Sequence, residues 1–543
     1  PMALKDVGTV LKTSQQKDKE GERLIKLFSM PCKPTKSNGM RTRNLPEHYP
    51  ADWEKFKYYC IQDVNTEVDI YKRLKKFPMP VQEWKHYRVN ERINDRGVKI
   101  DTELVQQAIA CDLMLSDAMS KKAYELTGLE NPNSVSQLKS WLDERGIPMD
   151  TLGKKDVAQM IDELDKNGVD AEAMDMLKLR LQMAKSSVKK YQAAERCVCS
   201  DGRARGLFQF YGASRTGRYS GRNIQLQNLP QNHISTLDEA RELVELGCFD
   251  MVETIYGNTP DVLSQLIRTM LIPKEGCEFI VADFSAIEAR VLAWEAGEDW
   301  RLEAFLEGKD IYCASASQMF HVPVVKHGIN GELRQKGKVA ELACGYGGSS
   351  GALISMGALQ MGLKEEELPE IIDSWREANP KIVQYWWDVE KAATQAFKIG
   401  KRQEIGKLAF EFYSGTVWML LPSGRKLAYL KPRLQPNRFG RMSLTYEGVG
   451  QNHKWARQET YSGRLVENAT QAIARDILAE AMARMEDYGL NIVGHVHDEV
   501  INEAPMEWYT VDEVCKLMSV NPEWCKDLPL NAAGYKGSYY FKD

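Results

Sequence analysis

The sequence has no long apolar run. No stretch approaches the roughly 18 residues that a membrane-spanning helix needs, and the first residues, PMALKDVGTVLK, are amphipathic and charged, unlike a signal peptide. We therefore expect a protein of the cytoplasm that does not bind a membrane.

The sequence also lacks the cysteine patterns of disulfide frameworks and zinc sites. Its eleven cysteines are scattered, with no C-x-x-C pair and no Cys/His zinc spacing. His495 and His497 alternate as on a strand, but no third ligand is evident, which disfavours zinc. Repeats and low-complexity tracts are absent too. We expect reduced cysteines and, from 543 residues that are 43% hydrophobic, about three to four domain-sized units.

A strong charge of either sign is missing, because the net charge is only −4. The distribution of charge is more informative. Residues 178–222 contain eleven Lys and Arg but only two acids, with five aromatic residues interleaved. This pattern is typical of a surface that binds a phosphate backbone, although a solvated helix face followed by a basic loop would produce it too.

Sequence patterns divide the chain. Phe77–Pro80 (FPMP) predicts a break, helical periodicity continues to about residue 200, and strands mix with helices from about 205. Residues around Pro422–Gly424 predict a strand, a turn and a strand. The periodicity after residue 464 predicts a helix that ends at Gly489, followed by a hairpin in NIVGHVHDEVINEAP.

Asp283 follows a predicted buried strand that includes Phe279–Ala282. A carboxylate at the edge of a core costs several kcal/mol unless it is paired or holds a metal. Ser285 and Glu288 then fit the S-x-x-E capping box of a helix. That pattern gives Glu288 a structural role but leaves Asp283 unexplained.

A second carboxylate site lies at the tip of the predicted hairpin, at Asp498 and Glu499. An aspartate in a turn is common, but here, as at Asp283, a carboxylate follows an apolar strand. Two carboxylates that bridge two divalent cations are used for phosphoryl and nucleotidyl transfer. Because Mg²⁺ binds a few carboxylates together with substrate phosphates, a sparse protein site is expected.

Two predicted helices carry one-sided patterns. Residues Arg334, Lys338, Leu342 and Tyr346 are four apart, so they share one face that could grip a triphosphate and a base. The glycines that follow lack the GK[ST] of a P-loop. The helix after residue 464 carries a second, polar stripe: Arg464, Asn468, Gln471 and Arg475. An amphipathic surface helix explains the first pattern, and a plain solvent face explains the second about as well as a nucleic-acid contact.

Four segments resemble the motifs of A-family DNA polymerases of the polymerase I type, especially the phage-encoded branch. They are DFSAIEAR (Asp283–Arg290), R-x3-K-x7-YG (Arg334, Lys338, Tyr346, Gly347), HDE (His497–Glu499) and TGR with LQNLP (Thr216–Arg218, Leu226–Pro230). The resemblance extends from about Trp84 onward. It implies an α+β fold shaped like a right hand, with an antiparallel palm sheet.

The resemblance implies a template-directed DNA polymerase that adds dNTPs to a primer 3′-OH. Asp283, Asp498 and the carbonyl of Phe284 would hold two Mg²⁺ ions, for which Mn²⁺ can substitute. Arg334 and Lys338 would bind the triphosphate, and Lys338 would protonate the leaving pyrophosphate. The remaining nucleotide contacts would come from Leu342, Tyr346 near the templating position, and Glu288 as the gate against a ribose 2′-OH.

The resemblance also implies partners. Primer–template DNA would contact Arg218, Gln227, Asn228, Arg290, Gln471 and His497. A monomer is expected, in the cytoplasm of a bacterial host if a phage encodes it. Processivity and replisome partners are not predictable.

The sequence departs from the family pattern at several positions. Leu342 replaces an aromatic residue, which puts sugar discrimination there in doubt. Ala286 replaces Gln, Gln225 replaces Asn, and Tyr312 stands where His is common. The spacing from Arg464 to Gln471 is one residue short, so the role of Gln471 transfers more firmly than that of Arg464.

The implied domains begin with a partial ribonuclease H-like segment, residues 1–82. Tyr59 and Asp63 match the third motif, Y-x3-D, of a 3′–5′ proofreading exonuclease, while its D-x-E and further Asp are absent. No proofreading is therefore expected. The other implied domains are a mainly helical thumb (83–205), a first palm part (206–296), fingers (297–418) and a second palm part (419–543).

Three other interpretations stay open. A related polymerase could use ribonucleotides, which Glu288 argues against. A primer–template binding protein could have lost catalysis, which Asp283, Asp498, Arg334 and Lys338 argue against. A stand-alone nuclease is disfavoured by the incomplete exonuclease site.

Overall fold

A computed structural model describes residues 4–13, 20–167, 170–183, 188–437, 440–450 and 454–542. The chain forms two compact units, Pro1–Lys85 and His86–Asp543. No helix within the described ranges has the length and apolar character needed to cross a membrane. All eleven cysteines are free thiols, as predicted.

The first unit is built from helices. They are α1 (Leu4–Leu11), α2 (Gly21–Ser29) and α3 (Pro50–Leu74). Phe28 of α2 packs against the rings of Trp53 and Phe56 of α3, at 5.1 and 5.5 Å between centroids. Gly21 lets the two helices meet, since a Cβ there would lie 2.1 Å from the Tyr59 ring. The predicted break at Phe77–Pro80 separates α3 from the next helix.

The next region is mainly helical, as predicted. Its helices are α4 (Val81–Arg96), α5 (Thr102–Thr127), α6 (Val135–Glu144), α7 (Lys154–Asn167), α8 (Ala171–Met183) and α9 (Val188–Cys197). Around Ala123, Leu138, Leu142 and Met176, the middle of this region has its own apolar core. One short strand, β1 (Val98–Ile100), pairs with β2 (Arg203–Ala204) and β5 (Leu271–Ile272).

Short elements then lead to the central strand. They are β3 (Phe208–Gln209), β4 (Ser220–Gly221), α10 (Leu237–Glu245), α11 (Phe249–Tyr256) and α12 (Thr259–Gln265). Strand β6 (Cys277–Phe284) follows, and most of its side chains are buried. This confirms the apolar strand predicted before Asp283.

Helices α13 to α19 follow β6. They are α13 (Ile287–Ala296), α14 (Asp299–Leu306), α15 (Ile311–Phe320), α16 (Leu333–Cys344), α17 (Ser350–Ser355), α18 (Leu368–Ala378) and α19 (Pro380–Ile399). Trp386 of α19 donates from Nε1 to the carbonyl of Gly345 at 2.9 Å. This bond secures the chain just after α16.

A six-stranded antiparallel sheet follows α19. It comprises β7 (Gln403–Ile405), β8 (Leu408–Tyr413), β9 (Thr416–Leu420), β10 (Lys426–Pro436), β11 (Met442–Val449) and β12 (Trp455–Glu459). Neighbours in sequence are neighbours in the sheet. The sequence predicted only β9, its turn and β10.

The last elements complete a four-stranded antiparallel sheet of order β13-β14-β6-β15. They are α20 (Ser462–Tyr488), β13 (Asn491–Val496), β14 (Glu499–Pro505), α21 (Val511–Met518) and β15 (Ala532–Gly537). The predicted hairpin and the helix end at Gly489 are confirmed. Strand β6 has a neighbour on each side, so backbone hydrogen bonds fix the position of Asp283 from both directions.

The polar stripe on α20, for which the sequence left a solvent face and a nucleic-acid contact open, is buried at two of its four positions. Asn468 and Arg475 are only 8% and 2% exposed. Asn468 donates to the Tyr429 hydroxyl at 3.1 Å, and Arg475 contacts Asp476. Helix α20 packs against α13, α19 and α21. Asn468 and Arg475 therefore form their hydrogen bonds inside the protein.

Candidate active site

Asp283 and Asp498 meet where β6 ends beside the β13–β14 turn. Glu499 is the cross-strand partner of Asp283, and the Phe284 amide donates to the Asp498 carbonyl at 3.1 Å. The structure therefore brings together the two strand-end carboxylates that the sequence singled out.

The negative charge of the two aspartates is only partly neutralised by the described residues around them. Burial, followed by the nearby charge of Asp283, raises the pKa of Asp498 to about 7. Oxygen Oδ1 of Asp283 is buried and has no hydrogen-bond partner among the described residues. A buried carboxylate oxygen with no donor is costly, and hard oxygen donors of this kind suit a divalent cation.

Lys542 contacts this pair of strands, and no sequence pattern predicted it. Its ammonium group donates to Asp283 Oδ2 at 3.1 Å and to Glu499 Oε2 at 3.2 Å. Burial lowers the pKa of Lys542, but the charges of Glu499 and Asp283 outweigh burial, so the pKa is raised. The hydroxyl of Tyr540 donates to the other Glu499 oxygen at 2.6 Å.

Glu288 is not part of a capping box. The residue before α13, Ala286, is left-handed with φ of 51°, and no side chain caps the helix. The Glu288 carboxylate instead accepts from the Tyr346 hydroxyl at 2.6 Å and forms an ion pair with Arg218. The left-handed residue ends the strand abruptly, so Ser285 is not in capping geometry.

Helix α16 presents the predicted row of side chains. Arg334 forms an ion pair with Asp310, at 2.8 and 3.0 Å, and lies over the Tyr312 ring. Lys338 has no ion-pair partner in the described part of the chain. Leu342 is 45% exposed, whereas Tyr346 is partly buried. Asp310, which also caps α15, was not predicted as a partner of Arg334.

A cleft of about 300 Å³ brings several predicted nucleotide contacts together. Glu288, Leu342, Tyr346 and Asp498 line it, with Tyr312 beside them. The cleft therefore joins the row on α16 to the end of the central sheet.

A smaller adjoining cleft contains much of the predicted DNA contact set. Arg218, Gln227 and His497 line it with Asp498. Burial, followed by the charges of Arg218 and Lys542, lowers the pKa of His497. Gln227 has a buried Oε1 without a partner among the described residues.

Two further predicted DNA contacts lie on helices. Asn228 ends a single helical turn, Leu226–Asn228. Gln471 lies on α20, where its amide donates to Glu467 at 3.3 Å.

Arg290 is buried, contrary to its predicted contact with DNA. It is 5% exposed, and its guanidinium donates to the carbonyls of Ser285 at 2.6 Å and Pro529 at 2.7 Å. Burial lowers its pKa to about 10. In this structure Arg290 secures the turn between β6 and α13.

The two histidines of the HVH segment do not share a face of a strand. His495 stacks on Phe208 at 4.2 Å and meets Tyr219 edge to face at 4.6 Å between ring centroids. Burial lowers its pKa to about 3, so it is neutral. His497 lies in the turn after β13 with φ of 55°.

Tyr59 and Asp63 lie one turn apart on α3 of the first unit. Tyr59 is buried at 4% exposure, and Asp63 has a buried Oδ1 with no hydrogen-bond partner among the described residues. In the described ranges of the chain, no three His, Cys, Asp or Glu side chains form a cluster that could hold a metal.

Comparison with known proteins identifies the family. The model of DNA polymerase family A matches residues 107–407. The DNA polymerase of Bacillus phage SP02 is 53% identical over all of this chain and 84% of that protein. The chain belongs to DNA polymerase family A. This family A polymerase is also 26% identical to DNA polymerase I of Geobacillus stearothermophilus, over 78% of the chain but only 41% of that protein.

A solved structure shares the fold. The POL domain of Pol1 from M. smegmatis, in complex with DNA primer-template and dNTP, aligns with a TM-score of 0.58 and 20% identity. The alignment covers 98% of this chain and 81% of that one. The predicted family, the α+β polymerase fold and the enzyme class, a template-directed DNA polymerase, are confirmed.

Proposed function

We propose that this polymerase extends a DNA primer with dNTPs at the site formed by Asp283 and Asp498. The observation that carries the assignment is the convergence of these two carboxylates, with one buried oxygen unpartnered and one pKa raised to about 7. Such a site gains from a bound cation, because a divalent charge would stabilise both carboxylates.

Asp283, Asp498 and the carbonyl of Phe284 would hold two Mg²⁺ ions, with Mn²⁺ as a substitute. When bound, the ions supply charge stabilisation for the attacking and leaving oxygens. Two carboxylates are a sparse protein site, and the remaining ligands would be water and the phosphates of the nucleotide.

The row on α16 would bind the incoming dNTP. Arg334 and Lys338 would hold the triphosphate, and Lys338, which has no ion-pair partner in the described part of the chain, would supply a proton to the leaving pyrophosphate. Leu342 and Tyr346 would border the base. Glu288 would restrict space at the sugar, because Arg218 and Tyr346 hold its carboxylate in place.

Primer–template DNA would lie along the adjoining cleft, against Arg218, Gln227, Asn228, Gln471 and His497. The unpartnered oxygen of Gln227 and the low pKa of His497 leave both side chains able to take part in neutral hydrogen bonds to bases. We also propose that the chain is divided into thumb, palm and fingers at the bounds given above, and that the protein is a monomer.

Primer extension by the Asp283→Asn and Asp498→Asn variants tests the function. The assay uses a labelled primer–template, Mg²⁺, and dNTPs or rNTPs in parallel. Both variants are expected to lose at least about a thousandfold in rate, since preorganised charge stabilisation supplies most of such catalysis. DNA binding measured by fluorescence anisotropy is expected to persist.

Asp250→Asn, an exposed change on α11, is the matched control and is expected to extend normally. Extension by either site variant at the wild-type rate would contradict the assignment. Extension with rNTPs by the wild type would favour the ribonucleotide alternative, and DNA binding without any extension would favour the non-enzymatic one.

We also propose that this chain does not proofread. Asp63 is the one carboxylate matched to an exonuclease motif. A labelled primer incubated with the enzyme and Mg²⁺ but without nucleotides is expected to keep its length. Shortening that disappears in Asp63→Asn would overturn this proposal.

A further inference from the structure

Lys542 contacts the proposed metal site, although it belongs to none of the sequence motifs. One ammonium group bridges Asp283 of β6 and Glu499 of β14, at 3.1 and 3.2 Å. Of the two Asp283 oxygens, Oδ2 contacts Lys542 and Oδ1 has no partner in the described chain. The positive charge therefore occupies one side of a carboxylate whose other side is unsatisfied.

The segment that carries Lys542 is firmly attached. The backbone amide and carbonyl of Lys542 form a reciprocal pair with Asn232, both at 2.8 Å. The Tyr540 amide donates to the Leu271 carbonyl at 3.0 Å, and its hydroxyl lies between Glu499 and Arg268, at 2.6 and 2.7 Å. Three attachment points hold the lysine backbone beside the carboxylates, so the contact is a built feature of the fold.

We propose that Lys542 is a positioning residue that neutralises Asp283 and Glu499 in the metal-free enzyme and lowers the affinity of the site for divalent cations. The proposal rests on the metal site of the proposed function. Without the ammonium, the carboxylates of Asp283 and Glu499 would have no counter-ion from this segment. With it, an entering cation must displace the ammonium from Asp283 or bind against its repulsion.

The size of the effect follows from the geometry. A unit positive charge a few ångströms from a divalent cation repels it and so opposes its binding. Lys542 is 30% exposed, so water and salt screen part of this repulsion. We expect removal of the charge to tighten metal binding by about tenfold.

The test is titration of the full chain with Mn²⁺ in the absence of DNA and nucleotide, with bound Mn²⁺ measured by electron paramagnetic resonance. Lys542→Met, which keeps the length of the side chain, is expected to bind Mn²⁺ about tenfold more tightly than wild type. Lys542→Arg, which keeps the charge, is expected to stay near wild type. If Lys542 had only a structural role, the Mn²⁺ affinities of these two variants would not differ according to the charge of the side chain.

One control accompanies the titration. Lys536→Met removes a lysine that pairs with Glu278 at the far end of β6, and it is expected to leave the affinity unchanged. If Lys542→Met binds Mn²⁺ no more tightly than wild type, the proposal is overturned.

Failure of the underlying metal site would look different. In that case Asp283→Asn would bind Mn²⁺ as well as wild type does, whatever residue stands at 542. Loss of binding in Asp283→Asn together with equal affinity in wild type and Lys542→Met would retain the metal site and reject only the role of Lys542.

Discussion

Glu288 connects parts of the polymerase that are distant in sequence. Its carboxylate accepts from Tyr346, beyond the end of α16, and pairs with Arg218 of the TGR segment. A side chain anchored by two partners cannot rotate out of the cleft to admit a larger sugar. Its rigidity is therefore a condition for its proposed role as the gate.

Glu288→Ala is expected to raise incorporation of rNTPs relative to dNTPs by about 10- to 100-fold, because it opens space for a 2′-hydroxyl. Single-nucleotide incorporation under matched conditions measures the ratio. Glu288→Gln keeps the volume and the contact with Tyr346, so it should retain most of the discrimination. Equal selectivity in the alanine variant and the wild type would reject the gate.

Glu295 is a buried carboxyl, 4% exposed, that forms no ion pair with any of the residues the structure describes. Thr470 of α20 and Tyr385 of α19 donate to its oxygens at 2.7 and 3.2 Å. Burial raises its pKa to about 8 despite these donors. Because the folded state holds the proton more tightly than the unfolded chain, stability from this group is full below the unfolded pKa and is lost as pH rises through about 8.

Glu295→Gln should therefore stabilise the protein in alkali. Its advantage in free energy of unfolding over wild type is expected to grow by about 4 kcal/mol between pH 5 and pH 9, from about 1.4 kcal/mol per unit of pKa shift. Urea unfolding at several pH values measures it. Exposed Glu365→Gln is the control, and a pH-independent difference would contradict the prediction.

At this scale, sequence motifs predicted the members of the site better than their contacts. Asp283, Asp498 and the α16 row were identifiable because each follows a local pattern. The contacts of three further residues were not identifiable, because their partners are distant in the sequence and no motif includes both members of the pair. These residues are Lys542, Tyr540 and Asp310. Arg290 was assigned to DNA because a motif cannot show that its guanidinium is enclosed by Ser285 and Pro529 carbonyls.

At the scale of elements, a buried ion-pair network joins the six-stranded sheet to α20. Asp476 of α20 accepts from Arg425 at 2.8 Å and from Arg475 at 3.1 Å. It also accepts from Ser423 of the β9–β10 turn at 2.5 Å. Both arginines are almost fully buried, and Asp476 is an acid that both of them contact.

Asp476→Ala is expected to destabilise the protein by about 3–5 kcal/mol, because two buried guanidinium groups lose their counter-ion. Chemical denaturation measures the loss. Glu404→Ala on β7, whose partner Arg402 is 51% exposed, should cost less than about 1 kcal/mol. Similar losses in the two variants would show that the Asp476 network is not needed for stability.

Secondary structure was predictable where the pattern was strong and local. The apolar strand β6, the helix ending at Gly489 and the hairpin have clear periodicity and turn residues. Most of the six-stranded sheet was missed, because β7 and β12 are short and β8, β11 and β12 mix charged with aromatic residues. The sequence left the polar stripe of α20 open between a solvent face and a nucleic-acid contact, since periodicity alone cannot show that Asn468 and Arg475 are buried.

At the scale of the whole molecule, the second unit has its own core and contains every proposed polymerase residue. The segment between α3 and α4, residues 75–80, is a natural place to divide the chain. Residues 79–543 alone are therefore expected to fold cooperatively and to extend a primer within a few-fold of the wild-type rate. Calorimetry and primer extension on the shortened chain measure both, with Asp498→Asn in the same background as the inactive control.

An insoluble or inactive shortened chain would show that residues 1–78 are needed for the fold or the reaction. That outcome would argue against treating the first unit as separable.

The contact between Lys542 and Asp283 joins residues 259 positions apart, and it has a consequence for how the enzyme comes into being. Strand β6 is translated long before β14, β15 and the lysine that pairs with it. Contacts this distant in sequence form slowly, because a long loop must close first. A growing chain that already contains Asp283 cannot yet assemble the proposed site, which requires that β14, β15 and Lys542 have also been translated.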